Sequence, residues 1–430
     1  MEIKLSQCKA LRGEIRVSAD KSISHRTLIF SALARGRSSV QNFLQAQDTL
    51  STCRCLGQLG VDIRTEKQSL IISGKGWEGL KEAEDVLDCG NSGTTMRLLS
   101  GLLAGLPFFS VLSGDRSLRQ RPMRRIMEPL RMMGATLYAR QNGLAPLVVI
   151  GGSLAGIEYQ LPVASAQLKT ALLLAGLQAE GKTVLREVQP SRDHSERMLS
   201  AMGADLIVKP GSVTLNPGKT LEPQQFLVPG DISSAAFFLV AASIVPGSEL
   251  MIRDVGVNPT RAGVIEVLDA MGADIIMENR RTVGGEPVAD LLVKSAPLRG
   301  TVIDGGMMPK LIDEVPVLAV AMAAADGESR VEDAGELRVK ESDRLAAICS
   351  ELNKMGACVE EMPQGLTITG RPESLRGAEV HGFGDHRIAM SLAVAALVAR
   401  GETVLKGAEV VDISFPQFWP LLEGLTTKCL

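Results

Sequence analysis

The sequence predicts an α/β protein of two domains, each built from three copies of a helix–strand–helix–strand unit, with N-terminal strands closing the last copy. Three observations predict it. A phrase of the form Leu-x-x-Leu/Met-Gly-Val/Ala recurs at 56–61, 130–135, 199–204, 268–273 and 352–357, with a degraded sixth copy at 422–425. A second phrase, an Ala/Leu/Val-rich stretch followed by a glycine and a β-branched run, recurs around Gly36, Gly105, Gly181, Gly247, Gly327 and Gly401. Finally, 430 residues exceed the roughly 250–300 at which one hydrophobic core stops growing.

Each element follows from these phrases. The glycines of the first phrase, at 60, 134, 203, 272, 356 and 424, each follow an amphipathic stretch and precede a strand-like run such as 205–208 or 274–277. Glycine there takes the left-handed conformation that stops a helix. The helices of the second phrase are apolar nearly all round, as in 391–398, which places them in the middle of a domain. Six units of about 70 residues account for the chain. Only six residues follow Gly424, so the last unit lacks strands, and the strand-like runs at 3–5 and 13–17 are expected to supply them. One domain then spans 20–229 and the other 1–19 plus 230–430, with hinge crossovers near 18–21 and 227–231.

Each buried helix opens on a polar cluster: Asp20-Lys21-Ser22, Asn91-Ser92-Gly93-Thr94, Ser165-Ala166-Gln167, Asp231-Ile232-Ser233-Ser234, Asp313-Glu314 and Asp385-His386-Arg387. Capping explains the Ser, Thr, Asp and Asn, with Ser22 or Ser24 the expected cap of the first helix. It does not explain Lys21, Arg26 or Arg387, because cations oppose the macrodipole at a helix N-terminus. Arg26 falls four residues after Ser22, on the same helix face. If the helices of a domain run parallel, their N-termini line one cleft suited to phosphate and carboxylate groups. In the arginine-rich loop 114–125, Arg119, Arg124 and Arg125 read as a solvated face. Arg121, Arg344 and Arg387 are the better anion ligands, and Asp313, Glu341 and Lys21 the candidates for moving protons.

Several classes are disfavoured. A net charge of −3 and 3% aromatic residues recommend neither nucleic acid nor an anionic membrane as partner. No apolar run is long enough to span a bilayer and no signal-peptide core opens the chain, so a cytoplasmic protein is expected. Seven cysteines, at 8, 53, 55, 89, 349, 358 and 429, are read as free thiols rather than metal ligands. The absence of a P-loop, a dinucleotide fingerprint and a His-Glu-x-x-His zinc motif disfavours nucleotide hydrolysis, dinucleotide cofactors and a zinc hydrolase, and no metal site is expected.

The residues at 20–26, 90–94, 121–123, 165–167, 337–344 and 385–390 together resemble the enolpyruvyl transferases, in the branch that uses shikimate 3-phosphate, and more closely its second class. The resemblance spans essentially the whole chain. It implies two inside-out α/β domains, no cofactor, and transfer of the enolpyruvyl group of phosphoenolpyruvate to the 5-hydroxyl of shikimate 3-phosphate with release of phosphate. Carried over position by position, Lys21, Ser22, Arg26, Ser165, Gln167, Arg192, Asp313 and Lys340 hold shikimate 3-phosphate. Lys21, Gly93, Arg121, Gln167, Arg344 and Arg387 hold phosphoenolpyruvate. Asp313 accepts the hydroxyl proton and Glu341 takes part in protonating C3.

Many members carry a lysine before Phe-Pro near the C-terminus, where this chain has Ser414-Phe415-Pro416, and glyphosate sensitivity stays open. The alternatives are the sister branch that uses UDP-N-acetylglucosamine, whose loop cysteine has no counterpart at 116–120, and a non-catalytic anion-binding repeat protein. A monomer is expected.

Overall fold

A computed structural model describes residues 1–426. Cys429 lies outside the described residues. The chain divides into two compact units. The first domain holds Ala19–Val228 together with the short turn Val283–Glu286, and the second holds Met1–Ser18, Pro229–Thr282 and the chain from Pro287 onward.

The first domain is built on three helices, Lys21–Leu33, Gly93–Ala104 and Ala166–Gly176. Residues 23–33 of the first are all buried, as are 168–176 of the third. A helix buried on every side has no polar face to turn to water, so the sheets cover it from outside. The second and third helices approach closely: a Cβ on Gly101 would lie 2.1 Å from the Ala171 carbonyl oxygen, so only glycine fits there. Three four-stranded sheets surround them, with alternating burial in strands such as Ser212–Asn216.

The second domain repeats this plan around Ile232–Ile244, Val315–Ala324 and His386–Ala396. Its core is a separate cluster in which Phe237, Phe238, Phe415, Phe418 and Trp419 pack ring against ring. Both domains are thus inside-out α/β structures, with helices within and sheets without.

The repeat is visible in the strand pairings. In each sheet a short strand joins the first strand of the following unit in parallel: Leu87–Asp88 with Phe109–Ser113, Glu158–Leu161 with Thr183–Glu187, Val302–Ile303 with Gly327–Val331, and Glu379–His381 with Thr403–Lys406. Gln225–Leu227 pairs the same way with Arg35–Gln41, which closes the ring of three units in the first domain.

The N-terminal strands differ in part from the expectation. Glu2–Leu5 pairs with Thr403–Lys406 of the last unit, but Arg12–Arg16 runs parallel to Glu249–Gly256 of the fourth. Arg12–Arg16 therefore plays the ring-closing role that Gln225–Leu227 plays in the first domain. Gly60, Gly134, Gly203, Gly272 and Gly356 all have φ between 85° and 110°. Gly424 does not end a helix; it lies inside Phe418–Thr426.

Candidate active site

Capping sets up the site. Asp20, not Ser22 or Ser24, caps the first helix, accepting from the Ile23 N–H at 2.8 Å. Ser92, Ser165, Asp231 and Asp385 cap the second, third, fourth and sixth helices in the same way. Only Glu314, before Val315–Ala324, makes no capping bond. These caps account for the Ser and Asp residues at the helix starts, and the cations beside them need another explanation.

In the first domain the three helix starts meet through side chains. Arg26 is buried, and it donates to Ser195 Oγ at 2.8 Å, Thr170 Oγ1 at 2.8 Å and the Ser22 carbonyl at 2.9 Å. Burial pulls this guanidinium down to about 10, with the charges of Glu196 and Asp20 working the other way. Lys21 lies 3.1 Å from Asp48 Oδ2. Gln167 accepts from Arg97 Nη1 at 2.7 Å and donates to Thr94 Oγ1 at 2.9 Å. A Cβ on Gly93 would lie 2.7 Å from Arg97 Nη1 and 3.6 Å from Arg121 Nη1, so both guanidinium groups lie close to Gly93. Arg121 also donates to Asn91 Oδ1 at 3.0 Å. Ser165 and Arg192 are half-buried in the same domain. Arg119 and Arg124 are exposed.

His25, next to Arg26, is not a proton carrier. Burial pushes it down to about 3, so it is neutral near pH 7, and its Nδ1 lies 2.7 Å from Thr52 Oγ1. The hydroxyls continue from Thr52 to Thr95 and from Thr95 to Ser92, each step 2.7 Å. This chain of hydrogen bonds ties the first helix to the start of the second.

The second domain gathers the carboxylates. Arg344 is buried, donating to Asp385 Oδ2 at 2.8 Å and Glu341 Oε2 at 2.6 Å, and its Nη1 lies 3.4 Å from Asp313 Oδ1. Burial works against its charge, but Asp385, Glu341 and Asp313 outweigh it and push the guanidinium upward. Lys340 Nζ and Arg387 Nη2 each lie 3.9 Å from an Asp313 oxygen, so three cations stand around this one carboxylate. Arg387 also donates to the Asp313 carbonyl at 3.1 Å and lies 3.6 Å from Glu314. Glu314 in turn accepts from Ser233, and Arg261 donates to Ser233 Oγ at 2.8 Å and Asp231 Oδ1 at 2.9 Å.

Lys21, Ser22, Arg26, Gly93, Arg121, Ser165, Gln167 and Arg192 thus fall in the first domain, and Asp313, Lys340, Glu341, Arg344 and Arg387 in the second. Sequence reasoning missed Arg97, Asp48 and the holding groups Ser195 and Thr170. Arg97 was within reach, since it follows Gly93 by four residues as Arg26 follows Ser22. Asp48 sits at the start of Gln47–Gln58, outside the repeated polar clusters, and only the tertiary fold brings it to Lys21. Among the described residues no group of acids, cysteines and histidines is arranged to hold a metal ion.

The sequence model of the EPSP synthase (3-phosphoshikimate 1-carboxyvinyltransferase) family matches residues 5–422. The chain is 61% identical over 423 residues to the 3-phosphoshikimate 1-carboxyvinyltransferase of Syntrophomonas wolfei, covering 98% of this chain and 99% of that one. It is 54% identical over 427 residues to the enzyme of that name from Desulforudis audaxviator, covering 99% of each. A solved structure of EPSP synthase from Acinetobacter baumannii superposes with a TM-score of 0.91 at 43% identity, covering 99% of this chain and 98% of that chain. Matches of this extent lead to one conclusion: the chain belongs to the EPSP synthase family.

Proposed function

We propose that this transferase moves the enolpyruvyl group of phosphoenolpyruvate to the 5-hydroxyl of shikimate 3-phosphate and releases phosphate, a step of the shikimate pathway. The observation that carries the mechanism is the ring of Lys340, Arg344 and Arg387 around Asp313, with Glu341 on Arg344. A carboxylate held among cations is positioned to take a proton beside an anionic substrate.

Lys21, Ser22, Arg26, Ser165, Gln167, Arg192, Asp313 and Lys340 bind shikimate 3-phosphate. Lys21, the Gly93 backbone, Arg121, Gln167, Arg344 and Arg387 bind phosphoenolpyruvate. Several cations offset the repulsion between two anions that have to react with each other. The 5-hydroxyl adds to C2 and gives its proton to Asp313, while C3 takes a proton from Glu341. The C2–O bond to phosphate then breaks, phosphate leaves with the bonding pair and takes up the proton held by Asp313, and C3 returns its proton to Glu341 to re-form the double bond. Bringing both half-sites onto one substrate pair is the role we assign to the crossovers near 18–21 and 227–231.

No helix of the described residues is long and apolar enough to cross a membrane. We assign the enzyme to the cytoplasm, as a monomer without cofactor.

A phosphate-release assay with phosphoenolpyruvate and either shikimate 3-phosphate or UDP-N-acetylglucosamine tests the reading. Release is expected only with the former, and folded protein that releases none would overturn it. Lys21→Ala is expected to abolish turnover without unfolding the chain; near-wild-type activity would show that the site is misplaced.

A further inference from the structure

Among the buried charged groups that the mechanism above does not use is a cluster around Lys169. Lys169, in the helix Ala166–Gly176, has a side chain only 1% exposed, and its Nζ lies 2.9 Å from Glu187 Oε2 and 2.6 Å from Glu196 Oε1. Both carboxylates are themselves buried, with side chains 7% and 4% exposed. Burying ions costs several kcal/mol each before pairing returns any of it, so an apolar side chain would serve stability at least as well. The cluster carries two negative charges and one positive, and its placement suggests a use.

It touches the phosphate-binding residues at two points. Glu187 Oε1 accepts from the Ser191 N–H at 3.0 Å and from the Ser191 hydroxyl, and Lys169 Nζ stands 3.5 Å from the Ser191 carbonyl. Ser191 immediately precedes Arg192, so the cluster anchors the turn that carries that arginine. At the second point, consecutive residues form two matched pairs: Lys169 with Glu196, and Thr170 with Ser195, whose hydroxyls lie 2.6 Å apart. Arg26 is held by the second pair, donating to both of its oxygens.

We propose that Lys169 is a positioning residue for the phosphate of the acceptor substrate, neutralising Glu196 beneath Arg26 and fixing the turn that carries Arg192. The inference rests on the reading of Arg26 and Arg192 as shikimate 3-phosphate ligands. Glu196 has one oxygen, Oε2, buried without a hydrogen-bond partner. Burial pushes its carboxyl up and Lys169 is the charge that opposes this. Its charge also reaches Arg26. Without the ammonium, Glu196 competes with the substrate phosphate for Arg26, and the Ser191 turn loses one of its anchors.

The test measures Lys169→Met and the double variant Lys169→Met/Glu196→Gln by steady-state kinetics in both substrates, calorimetry with shikimate 3-phosphate, and thermal melting. Lys169→Met is expected to raise KM and Kd for shikimate 3-phosphate about tenfold or more, the scale of a charged hydrogen bond, while KM for phosphoenolpyruvate stays within about threefold. The double variant is expected to recover most of that loss, because it removes the uncompensated carboxylate. Should Lys169→Met not fold, Lys169→Gln, which keeps a donor but no charge, carries the same expectation. A lowered melting temperature with Kd for shikimate 3-phosphate unchanged would overturn the proposal, as would an equal rise in both KM values. A folded double variant with no recovery would also overturn it. Wild-type protein that fails to bind shikimate 3-phosphate would take down the functional reading itself, whereas wild-type binding matched by Lys169→Met removes this inference alone.

Discussion

The two half-sites hold their arginines in opposite ways. In the first domain, Arg26 is gripped by two hydroxyls and a carbonyl, and Arg121 donates to the amide oxygen of Asn91. In the second, Arg344 is gripped by Asp385, Glu341 and Asp313. The consequence is electrostatic: Arg26 is pulled down to about 10 by its burial, whereas Arg344 is pushed upward by its carboxylates. Neutral oxygens orient a guanidinium without spending its charge, which suits a group that must attract a dianion. Carboxylates offset much of its charge and tie it to Asp313 and Glu341, so Arg344 links the proposed phosphoenolpyruvate site to the proposed proton carriers. In the proposed mechanism both domains bind the anionic substrates, and only the second supplies the proton-transfer carboxylates Asp313 and Glu341.

The sharpest way to break this division is Asp313→Ala. Loss of a general base costs typically 10²–10⁴ in rate, so kcat is expected to fall about 10³-fold in the phosphate-release assay. If only KM rose, the second half-site would be one more anion clamp and the contrast would collapse.

Asp385→Asn tests the holding role of the carboxylates, and its effect is on stability. Burial pushes Asp385 up, but Arg344 and His386 outweigh it and hold the carboxyl below the usual carboxylate range. A carboxylate whose folded pKa is depressed contributes stability that is present above its unfolded value, about 3.9, and lost as pH falls through the lower folded value. Asp385→Asn is expected to cost about 3 kcal/mol near neutral pH, as breaking a buried ion pair does, and to flatten the acid limb below about pH 4. Denaturant melts from pH 2 to 8 read both effects; an unchanged acid limb would mean that Arg344 does not depend on Asp385.

The smallest expected effect comes from Gly93→Ala in the first half-site. The new Cβ would sit 2.7 Å from Arg97 Nη1, the far end of a flexible side chain, so the guanidinium shifts away from Gln167 while the backbone stays. KM for phosphoenolpyruvate is expected to rise several-fold, on the order of the 1 kcal/mol cost of modest overpacking, with kcat and melting temperature little changed. A fall in kcat without a change in KM would move Gly93 from binding to chemistry.

Much of this was legible before any coordinates. The six helix starts were marked by their polar residues, five of which cap their helices as Ser, Asp and related residues do. Identifying the capping residue was harder. Asp20 takes the cap, and that moves Ser22 and Ser24 into the first turns of Lys21–Leu33. The departures also have physical reasons. The run 13–17 reads as a strand, but strand periodicity carries no information about which edge it joins, and the observed strand, Arg12–Arg16, joined Glu249–Gly256.

By itself the sequence determined the repeat, the buried helices and the position of each candidate residue along it, because helix periodicity, helix-stopping glycines and capping residues all act within a few residues of chain. Only the tertiary structure decided what each charge faces. Asp48 against Lys21, Ser195 against Arg26, Glu196 against Lys169 and Asp313 among three cations are all contacts between residues more than 25 positions apart. Charge acts through space and not along the chain, so whether an arginine is spent on a carboxylate or kept for a substrate is fixed only when the helix starts are packed together.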